Sequence, residues 1–392
     1  MSPTRAVSNR ADLSRAPAPR SSSSKADSAD PTTFAELSPA LAELSRRAGH
    51  LPIVIDALGG DHAPAEVVAG ARLAWAADVP VVLIGRPEEL LDTGEVPVVA
   101  AREIIAMDAD AGASVRRLKD SSLVRCAEAV RDGRASAMVS AGNTGAAMAA
   151  ALLRMGRIRG IARPAIAIPI ATPGGVPTIM LDAGANADCQ PDWLVQFAQM
   201  GAVYARLRFG VDRPRIGLLS IGEESVKGNQ LVKDTQRLMT ADSAWLEAPR
   251  ARFIGNVEGR DLMSTEVDVV VADGFTGNVA LKSLEGALIG MVKTMELLAA
   301  GDSVILDAAR RLHAELDPEN AGGGMLLGVR GVCIISHGSS SAQAVFNAVR
   351  LAQDTVLADT VGAITAMSAA ADRAEGSAPR PARRAGSGQE AD

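Results

Sequence analysis

Two short turns in the sequence have the residue types of an anion-binding site. The segments SAGNTGA (140–146) and DGFTGNV (273–279) each follow a run of small apolar residues and lead into a helical pattern. Glycine lets the backbone turn sharply beside a ligand, and the first N–H groups of a helix attract anions. Ordinary helix capping explains either turn alone, but the pair favours two turns that face each other and hold two parts of one ligand.

Polar residues also follow the other predicted strands. Asp56 ends the first strand before GGD (59–61), and Asp182 ends another, where a capping or Asx-type turn is the alternative to ligand binding. Lys282 follows Asn278 by about one helical turn, where it either reaches back to an anion or faces solvent. The candidate substrate- and phosphate-binding residues are Asp56, Gly59, Gly60, Asp61, Ser140, Gly142, Asn143, Thr144, Gly145, Asp182, Asn186, Glu223, Asp273, Gly274, Thr276, Gly277, Asn278 and Lys282.

Three residues are candidates for catalysis: Lys227, Asn229 and His337. The first two form a cationic and amide clamp for an anion in IGEESVKGNQ (221–230), unless this segment is only a solvated loop. His337, in SHGSSS (336–341), is either an acid–base group or a structural hydrogen-bonding residue. The sequence contains no legible Ser-His-Asp or Cys-His arrangement and no metal-ligand spacing, so it predicts an anion site without a covalent nucleophile or a metal.

The elements that must position these residues alternate between strand and helix patterns. Apolar runs such as PIVIDALGG, ASAMVSAG and VDVVVADG are separated by helical patterns of ten or more residues. This alternation predicts an α/β fold with three layers, a mostly parallel sheet covered by helices. Because ligands bind at the carboxyl edge of such sheets, we expect all the candidate residues at that edge. The predicted helices cover residues 64–77, 121–132, 145–154, 191–208, 228–240, 277–299, 303–315 and 339–358.

The composition is that of a globular protein without a nucleic-acid-binding surface. Hydrophobic residues make up 47% of the 392 residues and charged residues 22%. Aromatic residues are only 3% and the net charge is −6, which argues against a broad basic surface or a base-stacking platform. Cys126, Cys189 and Cys333 are typical of reduced thiols in the cytoplasm. No apolar stretch reaches the roughly 20 residues of a membrane span, and no secretion signal is evident.

The two ends of the chain differ from its centre. Residues 1–32 are rich in Ser, Ala, Pro and charge, a short amphipathic helix interrupted by Pro39 is predicted over 33–47, and residues 372–392 are again low in apolar residues. Such composition offers too little apolar surface to offset the entropy of ordering. We therefore expect a disordered tail over 1–50, a catalytic domain over 51–371 and a second disordered tail over 372–392.

Eight segments together resemble the phosphate acyltransferase (acyl-acyl-carrier-protein:phosphate acyltransferase) family of bacterial phospholipid synthesis. They are, in order, VIDALGGDHAP, KDSSLV, SAGNTGA, LDAGANADC, GLLSIGEESVKGN, FIGNVEGRDL, VVVADGFTGNVALKSLEGA and GVCIISHGSSSAQA. The resemblance covers about residues 51–360. The departures from the family pattern are small. One of them is Leu58, where the family commonly has Met. The resemblance implies a homodimer without a nicotinamide or other cofactor, and a fold similar to the isocitrate/isopropylmalate dehydrogenase and phosphotransacetylase type.

The resemblance also implies a reaction and its partners. A fatty acyl group passes from acyl carrier protein to inorganic phosphate, and the acyl phosphate then serves a glycerol-3-phosphate acyltransferase. Because phosphate is partly a dianion and the leaving thiol has a pKa of about 8.5, this chemistry needs orientation and oxyanion stabilisation more than acid–base catalysis. Our hypothesis assigns phosphate to the turn at 142–145 with Lys227 and Asn229. It assigns the thioester to the turn at 274–278 with Lys282, and a supporting hydrogen bond to His337.

A helical hairpin over about 281–315 has apolar residues at its predicted tip. In the resembled family such a hairpin contributes to the dimer and touches the membrane surface. We therefore expect a cytoplasmic protein that associates peripherally with the inner face of the plasma membrane, and a basic patch for the acidic carrier protein. The tip residues are Leu297, Leu298, Val304, Ile305 and Leu306, and the patch residues are Arg154, Arg157, Arg159 and Arg163.

Two other functions compete with this one. A phosphotransacetylase-like enzyme would use acyl-coenzyme A in place of the acyl carrier protein. A membrane-surface scaffold for lipid-synthesis proteins would bind without releasing thiol. A decarboxylating dehydrogenase is disfavoured, because the sequence has neither GxGxxG nor a metal-binding set of Asp residues.

Overall fold

Short buried strands rich in Val, Ile and Leu form one central sheet. The structure, a computed structural model, describes residues 38–241 and 243–377. Every side chain of Ile53–Asp56 and Val269–Val271 is buried, as expected for strands covered on both faces. The strands are β1 (Ile53–Asp56), β2 (Val81–Gly85), β3 (Val98–Ala100), β4 (Ala137–Ser140), β5 (Ala165–Ile170), β6 (Thr178–Leu181), β7 (Arg215–Leu219), β8 (Arg252–Val257), β9 (Val269–Val271), β10 (Gly324–Leu327) and β11 (Val332–Ile335).

Polar caps begin several of the helices. Ser121, Asn143, Asp273 and Ser341 each accept a hydrogen bond from a backbone N–H in the following helical turn. All the predicted helices are present, with their ends shifted by a few residues. The helices are α1 (Pro39–Ala48), α2 (Ala65–Ala76), α3 (Ala111–Arg117), α4 (Ser122–Arg131), α5 (Thr144–Ala150), α6 (Pro191–Phe209), α7 (Gln230–Ala241), α8 (Gly274–Ala299), α9 (Ser303–Leu316), α10 (Ala342–Leu357) and α11 (Thr360–Ser377).

The sheet contains two sets of strands that run in opposite directions. Its strand order is β3-β2-β1-β4-β11-β10-β5-β6-β9-β7-β8. β10 is antiparallel to β11 and to β5, and β5 is antiparallel to β6. The remaining pairings are parallel. The mostly parallel α/β fold is therefore confirmed, but β1 to β5 and β11 run one way while β6 to β10 run the other.

This reversal corrects the expectation that all candidate residues share one carboxyl edge. We call the edge where β1, β4 and β11 end the first edge, and the edge where β6, β7 and β9 end the second edge. The sequence predicted β5 and β6 as strands joined by a turn, and their antiparallel pairing reverses the chain within the sheet. The candidate residues that follow β6, β7 and β9 therefore lie on the opposite edge from those that follow β1, β4 and β11.

Helices cover both faces of the sheet and complete three layers. Along β1 the side chains alternate, because Ile53 and Ile55 belong to one hydrophobic core and Val54 belongs to another. The first core includes residues of α2, α6 and α10, and the second includes residues of α4, α5 and α8. The three-layer arrangement predicted from the alternating elements is confirmed.

Described helices lie beyond the predicted domain at both ends. α1 lies inside the predicted 1–50 tail, and its Leu41 and Leu44 are buried. Pro39 starts this helix instead of interrupting it, since proline fits the first helical turn. At the other end, α11 continues to residue 377, past the predicted boundary at 371. The rest of both predicted tails, 1–37 and 378–392, lies outside the described residues.

The predicted hairpin is formed by α8 and α9. Only four residues of the long α8 are buried, namely Gly274, Gly277, Leu281 and Ala299, and in α9 only Ala309 is buried. Most of the apolar surface of α8 is therefore uncovered in a single chain. Among the described residues, no helix is both long enough and apolar enough to span a membrane.

Candidate active site

A chain of two hydrogen bonds links β1 to the turn after β4 at the first edge. The Ser140 hydroxyl donates to Asp56 Oδ2 over 2.8 Å, and the Gly142 N–H donates to Ser140 Oγ over 3.1 Å. Asp56 is only 2% exposed. Burial raises the pKa of Asp56, and the hydroxyls of Ser122 and Ser140 oppose this shift. The predicted candidate Asp56 is thus a buried residue that supports the turn from below.

The loops after β1, β4 and β11 are in direct contact. The Asp61 N–H donates to the Gly338 carbonyl over 2.7 Å. A Cβ atom at Gly59 would lie 2.9 Å from the Gly142 nitrogen, and one at Gly60 would lie 3.2 Å from the Gly338 oxygen. Glycine is required here because the three loops approach one another closely. The first edge therefore presents one continuous surface made of backbone.

Asn143 uses both ends of its side-chain amide to hold the turn. Its Oδ1 accepts from the Ala146 N–H over 2.9 Å and so caps α5, while its Nδ2 donates to the Met107 carbonyl over 2.7 Å. The predicted ligand role of the Asn143 side chain is therefore replaced by capping and loop anchoring. Thr144, the next residue, is exposed, and it is the hydroxyl that the turn offers to solvent.

His337 is exposed at the first edge. Its Nδ1 accepts from the Ser339 N–H over 3.3 Å and lies 2.7 Å from the Ser339 hydroxyl oxygen. In a neutral ring the proton is then on Nε2. Nε2 has no hydrogen-bond partner in the described part of the chain, so it remains available as a donor to a ligand.

At the second edge, the Asp182 carboxylate organises the loop that follows β6. Asp182 is fully buried and accepts hydrogen bonds from the N–H groups of Ile166, Gly184, Ala185 and Asn186 and from the Asn186 side chain, at 2.7–3.2 Å. Burial raises its pKa, and these hydrogen bonds oppose the shift. Of the two alternatives left open by the sequence, the structure shows the turn-forming one, and no acceptor site of Asp182 faces a ligand.

The glycines of the second turn allow α8 to pack closely against the loop after β6. A Cβ atom at Gly274 would lie 2.7 Å from the Asn186 oxygen, and one at Gly277 would overlap the Asp182 carbonyl oxygen. The Gly274 N–H donates to the Asn186 carbonyl over 2.7 Å. We expected these glycines to let a ligand approach the backbone, but they let the first turn of α8 rest on the loop after β6.

The other residues of this turn have local partners. Asp273 caps α8 by accepting from the N–H and the hydroxyl of Thr276, both over 2.8 Å. Lys282 pairs with Glu285 over 2.8 Å, one helical turn further on, instead of reaching back to the start of α8. The expected contact of Lys282 with the turn is therefore absent from this structure. Asn278 is exposed beside Gly184, and its amide has no hydrogen-bond partner among the residues that the structure describes.

The loop after β7 contains an unpaired cation. Lys227 is exposed, and its ammonium group has no partner among the residues that the structure describes. Asn229 accepts from the Val232 N–H over 2.9 Å and caps α7. Glu223 accepts from Arg260 over 3.1 Å, and both of these side chains are exposed. The predicted clamp is thus reduced to Lys227, whose charge is not neutralised by the chain itself.

The comparisons with known proteins agree on one family, and they match most of the chain. Residues 51–362 match the model of a family described as fatty acid synthesis protein. The chain belongs to this family. A phosphate acyltransferase from Acaryochloris marina is 45% identical over 318 residues, which cover 77% of this chain and 91% of that protein. One from Pelotomaculum thermopropionicum is 46% identical over 321 residues, covering 78% and 92%. The resemblance predicted from the eight segments is confirmed.

Two solved structures with a similar fold are phosphotransacetylases. The enzyme from Staphylococcus aureus aligns with a TM-score of 0.54 and 17% identity, covering 83% of this chain and 99% of that one. The enzyme from Streptococcus pyogenes aligns with a TM-score of 0.53 and 18% identity, covering 82% and 98%. At this identity the likeness shows the fold, and the predicted similarity to the phosphotransacetylase type is confirmed.

In this member of the family the candidate residues form two groups. The first-edge group is Asp56, Gly59, Gly60, Asp61, Ser140, Gly142, Asn143, Thr144, Gly145 and His337. The second-edge group is Asp182, Asn186, Glu223, Lys227, Asn229, Asp273, Gly274, Thr276, Gly277, Asn278 and Lys282. Within the described residues no hydrogen bond joins the two groups. Within the described part of the chain, the free groups that can donate hydrogen bonds to an anion include the Thr144 hydroxyl, the Nε2–H of His337, the Asn278 amide and the Lys227 ammonium.

Sequence reasoning missed two contributors to the site. The Met107 and Ala109 carbonyls accept from Asn143, but their segment has no recognisable pattern in the sequence. Arg260 bridges Glu223 and Glu258, at 3.1 and 2.7 Å. Its signal was present in FIGNVEGRDL, where a cation stands between two carboxylates (Glu258 and Asp261).

Proposed function

We propose that the protein transfers a fatty acyl group from the thioester of acyl carrier protein to inorganic phosphate. The products are acyl phosphate, which a glycerol-3-phosphate acyltransferase would consume, and the free carrier protein. The observation that carries this proposal is the 45% identity to a phosphate acyltransferase over 318 residues, and the family match over residues 51–362 includes both edges. The donors of both groups suit two anionic reactants.

The chemistry agrees with the absence of an activated thiol among the described residues. A phosphate oxygen attacks the thioester carbonyl carbon, the C–S bond breaks, and the thiolate leaves with the electron pair. Burial raises the pKa of Cys333 to about 12 and that of Cys126 well above its usual range. The pKa of Cys189 is about 12, again mainly through burial. These cysteines are poor nucleophiles, so direct attack by phosphate is the simpler route.

We further propose that both edges serve one site within each chain. Adjacent strands in a sheet are rotated by roughly 20–25°, and five steps separate β4 from β9, so the two strands differ by roughly 100° or more. A rotation of this size makes the two strands roughly perpendicular, so the opposite edges of the sheet no longer point directly away from each other. In this arrangement the turn at 142–145 with Lys227 would hold phosphate, and Asn278 with His337 would hold the thioester.

The expected homodimer allows this arrangement to be tested. Mixed dimers would combine a Lys227→Ala chain with a His337→Ala chain, after each homodimer has been shown to be impaired. If each site lies within one chain, every site of the mixed dimer carries one defect and no activity returns. Activity restored to about half that of the wild-type dimer would instead show that the two edges meet across the dimer.

A reaction assay tests the proposed function itself. Purified full-length protein with fatty acyl carrier protein and phosphate should release free thiol and form acyl phosphate, trapped as the hydroxamate. Lys227→Ala should raise the KM for phosphate by about 10- to 100-fold, because this is the loss of affinity expected when a hydrogen bond to a charged group is removed. Lys293→Ala on α8 is the control and should leave the KM for phosphate unchanged. Absence of acyl phosphate would contradict the proposal, and a preference for acyl-coenzyme A would favour the phosphotransacetylase-like alternative.

We also propose that exposed arginines beside the second edge receive the acidic carrier protein. The loop over 157–163 leads into β5, and the Pro164 carbonyl accepts from the Asn186 side chain over 2.8 Å, so the loop adjoins the site. Arg159 has no side-chain partner in the described chain, and Arg163 lies over the Trp193 ring at 4.9 Å. Arg154 is instead held by Glu128, at 3.6 Å, and does not belong to this patch.

The hairpin tip is proposed to contact the membrane surface. Leu297, Leu298 and Val304 are 82%, 74% and 75% exposed, and Ile305 next to them is partly exposed. Apolar side chains clustered at the end of a projecting hairpin commonly mark an interaction surface. Acyl phosphate would be produced close to the membrane in this arrangement.

A further inference from the structure

The buried carboxylate of Asp56 does not stabilise the fold, so the need for a carboxylate at this position requires another explanation. Its Oδ1 is buried without a hydrogen-bond partner. Ser122 and the Leu58 N–H are near enough to favour the charged form, but neither forms a hydrogen bond of good geometry with Oδ1. A buried carboxylate with one unsatisfied oxygen lowers the stability of a protein, and an uncharged side chain of similar size would be tolerated at least as well.

Asp56 does, however, determine how Ser140 bonds to the turn. A hydroxyl has one proton, and here Ser140 gives it to Asp56 Oδ2. The Ser140 oxygen is then fixed as an acceptor and receives the Gly142 N–H. Because Ser140 is itself fully buried, water cannot replace either bond. The direction of both hydrogen bonds therefore follows from the carboxylate.

The loop after β1 packs against the same Asp56 carboxylate. A Cβ atom at Gly59 would lie 2.5 Å from Asp56 Oδ2 and 2.9 Å from the Gly142 nitrogen. The backbones at Gly59 and Gly142 are thus both placed in relation to one carboxylate oxygen. Moving that oxygen would move the two loops that form most of the first edge.

We propose that Asp56 is a positioning residue that acts through Ser140 to orient the turn at 142–145 for its anionic substrate. This inference rests on the proposed function, in which that turn holds one of the two reactants. Asp56 itself contacts no substrate, because the turn lies between it and solvent. The sequence alone led us to expect a substrate-binding role for Asp56, and the positioning role is the one that its burial supports.

Kinetics of Asp56→Asn, Ser140→Ala and the double variant test the proposal. Each single variant should lower kcat/KM for phosphate by about 10- to 100-fold, the effect of a small misplacement of reacting groups. The double variant should lose no more than the worse single variant, because both act through one chain of bonds. Asp56→Asn should melt at or above the temperature of the wild type, whereas Ser140→Ala should melt lower, because it leaves the Gly142 N–H and Asp56 Oδ2 without their buried partner. Ser368→Ala is the matched control, because Ser368 is also a buried serine and its hydroxyl donates to the Arg159 carbonyl, away from Asp56 and the turn.

A second measurement does not depend on the reaction. Hydrogen exchange at the Gly142 amide should be slow in the wild type, faster in Asp56→Asn and fastest in Ser140→Ala. Unchanged exchange in both variants, or additive kinetic losses, would overturn the positioning role. If the wild type forms no acyl phosphate, the proposed function fails while the exchange measurement still decides the role of Asp56.

Discussion

The backbone of Gly277 lies against the Asp182 carbonyl oxygen so closely that a Cβ atom at position 277 would overlap it. One residue of α8 thereby fixes the distance between this helix and the loop after β6. The same loop is held from within by the Asp182 carboxylate. The second turn therefore packs tightly between two elements, and its exposed residues are Phe275, Asn278 and Val279.

Gly277→Ala should destabilise the protein by about 1–3 kcal/mol, the usual cost of overpacking. Gly286 lies on the same helix with no atom near its Cβ position, so Gly286→Ala is the matched control and should stabilise by up to about 1 kcal/mol. Urea unfolding of the full chain measures both free energies. Equal stability of the two variants would show that α8 does not rest on this loop.

Much of the fold could be predicted because its signals are local. The hydrophobic runs of β1, β4 and β9, and the caps of α4 and α5, depend on residues next to one another in the sequence. Strand direction is not local. The antiparallel β10, which had no recognised pattern, and the pairing of β5 with β6 decide which edge each loop reaches.

The same limit explains the outcome for the candidate site. The sequence correctly predicted that polar residues follow the ends of the strands. Asp182 and Asn143 lie at such positions. Whether their polar atoms remain free depends on neighbours far away in sequence, such as the Met107 carbonyl and the Ile166 N–H. Asparagine and aspartate satisfy backbone groups as readily as they bind ligands, so the sequence left both possibilities open.

Asp182→Asn should destabilise the protein, because one of its two carboxylate oxygens becomes an amide NH2 that faces other donors. We expect a loss of about 1–3 kcal/mol from unsatisfied buried groups. Asp188→Asn, at an exposed position a few residues later, should change stability by less than about 0.5 kcal/mol. Denaturant unfolding near neutral pH makes the comparison, and unaltered stability of Asp182→Asn would contradict the hydrogen-bond network described here.

The stability difference between the wild type and Asp56→Asn should depend on pH. Burial raises the folded-state pKa of Asp56 above its unfolded value, so the folded state binds more protons. The contribution of this group is fully present below its unfolded pKa and is lost as pH rises through the folded pKa. Cys126, which faces Asp56, stays uncharged over this range because its own pKa is raised well above normal.

Relative to Asp56→Asn, the wild type should therefore become less stable as pH rises from about 4 to 8. Unfolding free energies of both proteins, measured in the same buffers, give this difference directly. A difference that grows in favour of the wild type would show that hydrogen bonding outweighs burial at Asp56.

Charge reversal beside the second edge should impair recognition of the carrier protein selectively. Arg159→Glu combined with Arg163→Glu should raise the KM for the acyl carrier substrate about tenfold or more at low salt and leave the KM for phosphate unchanged. The effect should shrink as salt screens the charges. Arg46→Glu combined with Arg47→Glu, both on α1, provides a charge-matched control. Equal losses for both substrates would indicate a damaged site instead of a docking surface.

Glutamate at the hairpin tip should abolish membrane binding without affecting catalysis on soluble substrates. Burial of a leucine or valine side chain contributes about 1.5–3 kcal/mol, so Leu298→Glu with Val304→Glu should reduce partitioning to phosphatidylglycerol–phosphatidylethanolamine vesicles by at least about tenfold. Leu91→Glu is the matched control, since Leu91 is 77% exposed and lies far from the hairpin in sequence.

Vesicle flotation measures the bound fraction, and sedimentation of each variant shows whether the oligomeric state is retained. Because Glu296 and Asp302 flank the tip, attraction to anionic lipid adds little and binding should persist at high salt. Unchanged flotation of the tip variant would exclude the tip as the membrane contact. A change in sedimentation alone would assign these side chains to the contact between two copies of the chain.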